Sequence, residues 1–232
     1  MAIFDATQQL EQQLKHDQPI VLVNTIGPFQ KMNYDIPELC ARYQCHYIDI
    51  ADARDYVTNI IHLNEYAKKQ NVLIISGAST VSGLSSAVIE HYQSEFSVMT
   101  SLRYGISPDG MWLMSWSVRL GLPLNLEKHV KFYLQLSHYF DCFGTADGGM
   151  HIEIQGLDHQ GHLKNIKWFL IAKDGDEPQI PCIPAILLTK KLIQATYLLR
   201  GAYPCVGLIS LDEYMQALIK FNIHQIFSLK NV

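Results

Sequence analysis

Residues 20–79 predict an α/β fold built on a parallel sheet, and the residues beyond 98 predict an α+β part with a mainly antiparallel sheet. The first expectation rests on three short apolar strands that end in small or polar residues and alternate with helix-like stretches. Ile20-Val21-Leu22-Val23-Asn24-Thr25-Ile26 runs into Gly27-Pro28-Phe29, His46-Tyr47-Ile48-Asp49-Ile50 into Ala51-Asp52, and Val72-Leu73-Ile74-Ile75-Ser76 into Gly77-Ala78-Ser79. Such runs, separated by helices, suit a sheet covered on both faces. The second expectation rests on period-two alternation in Met150-His151-Ile152-Glu153-Ile154-Gln155 and again over 166–171. The turn residues Asp158-His159-Gln160-Gly161 stand between them, giving a hairpin with one buried face.

The helices follow from spacing and caps. Leu10 and Leu14 at i, i+4 predict a helix over 5–16, with Asp5 as its N-cap. Residues 37–43 and 60–69 read as crossovers between the strands, and 84–92 as a helix opening at Ser82 or Gly83. Residues 99–106 read as a strand ending in the turn Ser107-Pro108-Asp109-Gly110. An apolar helical hairpin over 111–140 follows, suited to burial against protein. The alternative is an interfacial helix on lipid, although its basic polar face is thin. Pro184 opens a helix over 184–197. Ser210 and Glu213 form a capping box before 214–220, and 223–229 ends the chain as a strand. The expected division is 1–97 and 98–232.

Composition narrows the function. At 232 residues, 48% hydrophobic and 17% charged, the chain belongs with ordinary globular proteins. A net charge of −4 with scattered Lys and Arg argues against a nucleic-acid surface. The cysteines Cys40, Cys45, Cys142, Cys182 and Cys205 form no C-x-x-C pair, which points to reduced thiols and a cytoplasmic location. No secretory leader or membrane-length apolar run is expected. Cys40, Cys45 and His46, or His159 and His162, lack the paired spacing of a metal site. Ser82, Ser85 and Ser86 lack the elbow motif of a hydrolase.

In open α/β sheets ligands sit beyond the carboxyl ends of the strands. Gly27 allows close backbone approach there and Phe29 offers a stacking surface, or Gly27-Pro28 merely turns the chain. Asp49, Asp52, Arg54, Asp55 and Tyr56 cluster after the second strand. They suit either acid–base work on a substrate or the satisfaction of loop donors, with Arg54 paired to Asp49 or Asp52. Residues 79–86 offer backbone donors at a helix start, suited to an anion.

Several of these stretches resemble the saccharopine dehydrogenase-like family of NAD(P)-binding oxidoreductases. They are Thr25-Ile26-Gly27-Pro28-Phe29-Gln30, Cys45-His46-Tyr47-Ile48-Asp49-Ile50-Ala51-Asp52 and Ser76-Gly77-Ala78-Ser79-Thr80-Val81-Ser82-Gly83. Gly144-Thr145-Ala146-Asp147-Gly148-Gly149-Met150, Asp174-Gly175-Asp176-Glu177-Pro178 and Pro204-Cys205-Val206-Gly207-Leu208 follow in the same order. The resemblance implies NAD(P)-dependent hydride transfer. It places cofactor contacts at Gly27, Pro28, Phe29, Asp49, Gly77, Ala78 and Ser79, and catalytic candidates at Asp52, Arg54 and Tyr56. No G-x-G-x-x-G occurs in the sequence, so only the second half of a Rossmann-like sheet is expected. Part of the family's substrate domain is also missing after Gly110. Cofactor binding is therefore expected to be weak or absent unless a partner chain supplies the missing half. The alternative is a non-catalytic remnant that associates without cofactor. With its neighbour missing, strand 20–26 is an open edge inviting a homodimer or larger assembly.

Overall fold

The computed structural model describes residues 9–107, 148–196 and 198–231. Asp5 and the apolar segment 111–140 lie outside the described residues. Two compact units divide the chain, one from 1–94 with 179–218, the other from 95–178 with 219–232. Residues 179–218 thus return to the first unit, where a single division after residue 97 would have placed them in the second.

The first unit runs α1 (Leu10–Asp17), β1 (Val21–Asn24), α2 (Asp35–Arg42), β2 (His46–Asp49), α3 (Arg54–Asn59), α4 (Asn64–Lys69), β3 (Leu73–Ser76) and α5 (Ser85–Tyr92). Strands β4 (Val98–Ser107), β5 (Gly148–Leu157) and β6 (Leu163–Ala172) belong to the second unit. The chain then re-enters the first through α6 (Ile183–Ile193), β7 (Gly201–Pro204) and α7 (Leu211–Leu218), and ends in the second with β8 (Ile223–Asn231).

The parallel sheet has the order β1-β2-β3-β7. Leu10 and Leu14 of α1, Cys40 and Ala41 of α2, Ile60, Leu63 and Ala67 pack with Tyr47, Ile74 and Ala202 of the strands. Helix α6 packs against β1 and β2, and α7 against α5 and α6. Gly83 is required where these helices meet, because a Cβ would collide with the Tyr214 hydroxyl and press on Pro184. Ser210 caps α7 as its sequence predicts: its Oγ accepts from the Glu213 amide at 3.3 Å, and Glu213 accepts from the Ser210 amide at 2.9 Å.

The expected helix over 60–69 is divided. Ile60–Leu63 winds as a tighter 3₁₀ turn before α4. A π-turn, Thr80–Leu84, precedes α5. Strand β7 had no counterpart in the sequence reading; its four residues, Gly-Ala-Tyr-Pro, carry little strand signal.

The second unit is an antiparallel sheet of order β4-β5-β6-β8. Met150, Ile152 and Ile154 of β5 and Ile166, Trp168, Leu170 and Ala172 of β6 form its buried face. Glu153 and Lys167, register partners, lie on the other face. The hairpin turn is tied by Asp158, whose Oδ1 accepts from the amides of Gln160 (2.8 Å) and His162 (2.9 Å). No helix among the described residues is long and apolar enough to cross a membrane.

Candidate functional site

The carboxyl ends of β1, β2 and β3 meet at one buried carboxylate. Asp49 ends β2 and is fully buried. Its Oδ1 accepts three hydrogen bonds, from the Ala51 amide at 3.0 Å, the Ser76 hydroxyl at 2.9 Å and the Gly77 amide at 2.8 Å. Its main-chain oxygen accepts from the Ala78 amide at 2.7 Å. Three of these bonds, from Ser76, Gly77 and Ala78, fasten the turn after β3 to the end of β2, and the Ala51 amide closes the loop after β2 itself. Gly77 sits there at φ +78°, and a Cβ would also crowd Ser82 and Val57, so glycine is needed on both counts. Cys205, just past β7, donates its amide to the Ser76 oxygen at 2.8 Å and extends the tie across the sheet.

Beside Asp49 stands a buried polar and aromatic group. Asn24, at the end of β1, donates from Nδ2 to the Tyr47 hydroxyl at 2.9 Å, and its Oδ1 accepts from the Ile26 amide at 3.0 Å. Phe29 and Tyr56 pack with ring centroids 5.5 Å apart, and Tyr34 stacks on Tyr56 at 4.8 Å. The Tyr34 hydroxyl donates to the Tyr56 carbonyl at 2.9 Å. Two atoms in this group are buried without a hydrogen-bond partner, Asp49 Oδ2 and the Tyr56 hydroxyl.

The electrostatics follow from burial. Asp49 is pushed above the usual carboxylate range because water is excluded, and the donors from Gly77, Ala51, Ser76 and Tyr47 offset this only in part. Burial raises Tyr56 to about 12, opposed by Tyr47 and reinforced by the Asp49 charge. Cys205 rises to about 12 for the same first reason, with Asp49 adding to it. A buried thiol held this high is a poor nucleophile at neutral pH.

The sequence-predicted residues separate into two sets. Gly27, Pro28, Asp52 and Arg54 are exposed and Ser79 is half-buried, forming an accessible rim. Phe29, Asp49, Gly77, Ala78 and Tyr56 are buried. Phe29 is therefore turned onto Tyr56 rather than outward to a ligand ring, and the amides of Gly77 and Ala78 are spent on Asp49 rather than free for a phosphate. Asp49 does satisfy loop donors, but no ion pair joins it or Asp52 to Arg54 among the described residues. Asn24, Tyr47 and Tyr34 escaped the sequence reading; a strand-ending Asn and an in-strand Tyr give no sign of their hydroxyl partners. Among the described residues no group of three or more His, Cys, Asp and Glu is placed to hold a metal ion.

Compared by sequence, the chain matches no protein family and no curated protein. Its fold is nevertheless shared with solved structures. An engineered D-amino acid dehydrogenase, solved with NADP+ bound, superposes with a TM-score of 0.56 at 13% identity, covering 95% of this chain and 88% of that one. At this identity the likeness establishes the fold, a parallel sheet and an antiparallel sheet in one α/β chain.

Proposed function

We propose that the chain is an NAD(P)-dependent oxidoreductase homologue of the saccharopine dehydrogenase-like kind, active when another chain or a second copy supplies a phosphate-binding half. The observation that supports this is the accessible rim at the carboxyl end of the parallel sheet, on a fold that an NADP+-bound dehydrogenase also has. NAD(P) would supply the hydride. The residues present suit its nicotinamide side: Gly27 and Pro28 give close backbone approach, and Ser79 a hydroxyl at the rim. Asp52 and Arg54, exposed beside it, are the groups to orient and protonate a polar substrate. The buried Tyr56 hydroxyl acts behind them. Nothing in the sequence offers a G-x-G-x-x-G cradle, and the Gly77 and Ala78 amides are already engaged. A cytoplasmic location accords with the buried thiols of Cys40, Cys45 and Cys205.

A second reading is favoured by the packing of Phe29, Tyr34 and Tyr56, which fills space beside Asp49 with the protein's own rings. On that reading the protein is a non-catalytic relative that binds a partner without cofactor. Calorimetric titration of the chain with NADH and NADPH tests what the two readings share. Both readings expect the chain alone to bind in the millimolar range or more weakly, about 4 kcal/mol or less. A low-micromolar constant without any partner removes the second reading and the need for a completing half.

The partner surface belongs to the same proposal. Strand β1 pairs only with β2 among the described residues, and Val23 is 40% exposed with Ile20 and Ile26 at 57% and 47%. No charge lies within 20–26 to guard that edge. A homodimer or larger assembly through this strand, or through α1, is expected by light scattering. Val21→Lys should disperse it, and a monomer indifferent to that change overturns the assembly.

A further inference from the structure

At the amino ends of the strands, the end opposite the rim, α1, β1 and β2 border a cavity of about 470 Å3. That size lies within the range of small-molecule sites, about 300–1,000 Å3. Leu14, Pro19 and Ile20 give it an apolar side, and Lys15, Gln18, Gln44 and His46 a polar one. Gln18 and Gln44 stand just past α1 and α2 in the left-handed region, at φ 43° and 56°, where glycine is the usual residue. Glycine there would remove an amide side chain from the cavity at each place.

The polar side is rich in free donors. His46 accepts from the Leu73 amide at Nδ1, 2.8 Å away, so the neutral ring carries its proton on Nε2. Burial and the nearby Arg200 push His46 below its ordinary value, which keeps the ring neutral at pH 7. Among the described residues Nε2, the Lys15 ammonium and the two glutamine amides have no hydrogen-bond or ion-pair partner. No acid among those residues lines the cavity. The acids of α1 are engaged elsewhere, Glu11 with Tyr43 and Arg42, and Asp17 with Gln13 and His16.

We propose that this cavity is a second binding site, which takes a small aliphatic carboxylate. Its chain rests on Leu14, Pro19 and Ile20, and its charge meets the donors of Lys15, His46 and the glutamines. One ammonium among neutral donors suits a single negative charge. A phosphate is better matched by arginine forks, and Arg42 and Arg200 are held by Glu11 and Asn71. The site lies at the far end of the sheet from the rim and does not depend on the function proposed there.

Titration of the isotope-labelled full chain with sodium hexanoate, followed by NMR, tests the site. The amides of Gln18, Ile20, Gln44 and His46 should shift together and saturate, with a Kd of about 1 mM or tighter. Acetate should bind at least about tenfold more weakly, because it lacks the methylenes that the apolar side covers. Lys15 is exposed, so Lys15→Gln should fold normally and weaken hexanoate by about two- to fivefold. Because Ile20 also belongs to the expected assembly edge, the titration is repeated on Val21→Lys, and saturation in either chain supports the site. Shifts that grow without saturation in both chains overturn it. So does hexanol moving the same amides with equal affinity, or a Lys15→Gln chain that binds hexanoate unchanged.

Discussion

Strands of the parallel sheet are four residues long, and its central members β2 and β3 are buried on nearly every residue. Those of the antiparallel sheet run to nine or ten residues, and β5 and β6 bury every second side chain. The difference decides what a carboxylate can do in each. Asp49, at the end of β2, has no open face to turn toward and no cation beside it. Glu153, in the middle of β5, lies on the face away from the core. It accepts from Asn165 at 2.9 Å and Gln155 at 3.1 Å, and pairs with Lys167 at 3.3 Å. Those donors hold Glu153 down at about 2, whereas burial holds Asp49 up. Both acids accept several hydrogen bonds; at Asp49 burial outweighs them, and at Glu153 they outweigh burial.

The largest test of this contrast is Trp168→Ala. Trp168 is fully buried in β6 and donates to Gln225 at 3.2 Å, so its loss should cost about 3–5 kcal/mol by urea unfolding. Exchange protection should fall first in β5 and β6, and an equal fall in β2 and β3 would show the two units unfolding as one. Gly83→Ala comes next, at about 1–3 kcal/mol, because the added methyl meets Tyr214 and Pro184 at a helix contact with little room to yield. Ile75→Val, one methylene from a fully buried position of β3, should cost about 0.5–1.5 kcal/mol.

Smallest, and most diagnostic, are the opposed pH slopes. Glu153 is depressed in the fold, so its contribution is present above 4.5 and is lost as pH falls through about 2. Glu153→Gln should flatten the acid side of a stability–pH curve. Asp49 is raised, so its contribution is lost in the other direction, and Asp49→Asn should flatten the fall as pH rises from 3.8. Urea midpoints measured from pH 2 to 8 check both. Equal slopes in the two variants would dissolve the comparison.

The same contrast explains what the sequence could tell. Continuous runs such as Leu73-Ile74-Ile75-Ser76 and alternating runs such as Ile152-Glu153-Ile154-Gln155 announce their sheets locally, as does the Ser210 capping box. That Gly27 and Ser79 lie just past strand ends is legible because the apolar runs stop before them. Phe29 was misjudged because an aromatic after a turn looks alike whether it faces a ligand or, as here, Tyr56. Asp49 was placed correctly along the strand but not in depth, since its burial comes from the β3 turn and from Ser76, far along the chain. Asn24 and Tyr47 find one another only through the β1–β2 register, which no local pattern states.

Strand β7 has a consequence for how the protein is made. Its partner β3 pairs Leu73 with Gly201, and three strands of the other sheet lie between them in the chain. During synthesis the nascent parallel sheet must wait, with one flank of β3 unpaired, until β4, β5 and β6 have left the ribosome. The antiparallel sheet must wait in turn for β8, which is made after β7. Neither sheet is finished before the other has begun. Such interlaced pairing of distant segments slows folding and lengthens the exposure of sticky edges. Chaperone dependence during expression should then be read in the order of the strands rather than in the stability of the finished fold.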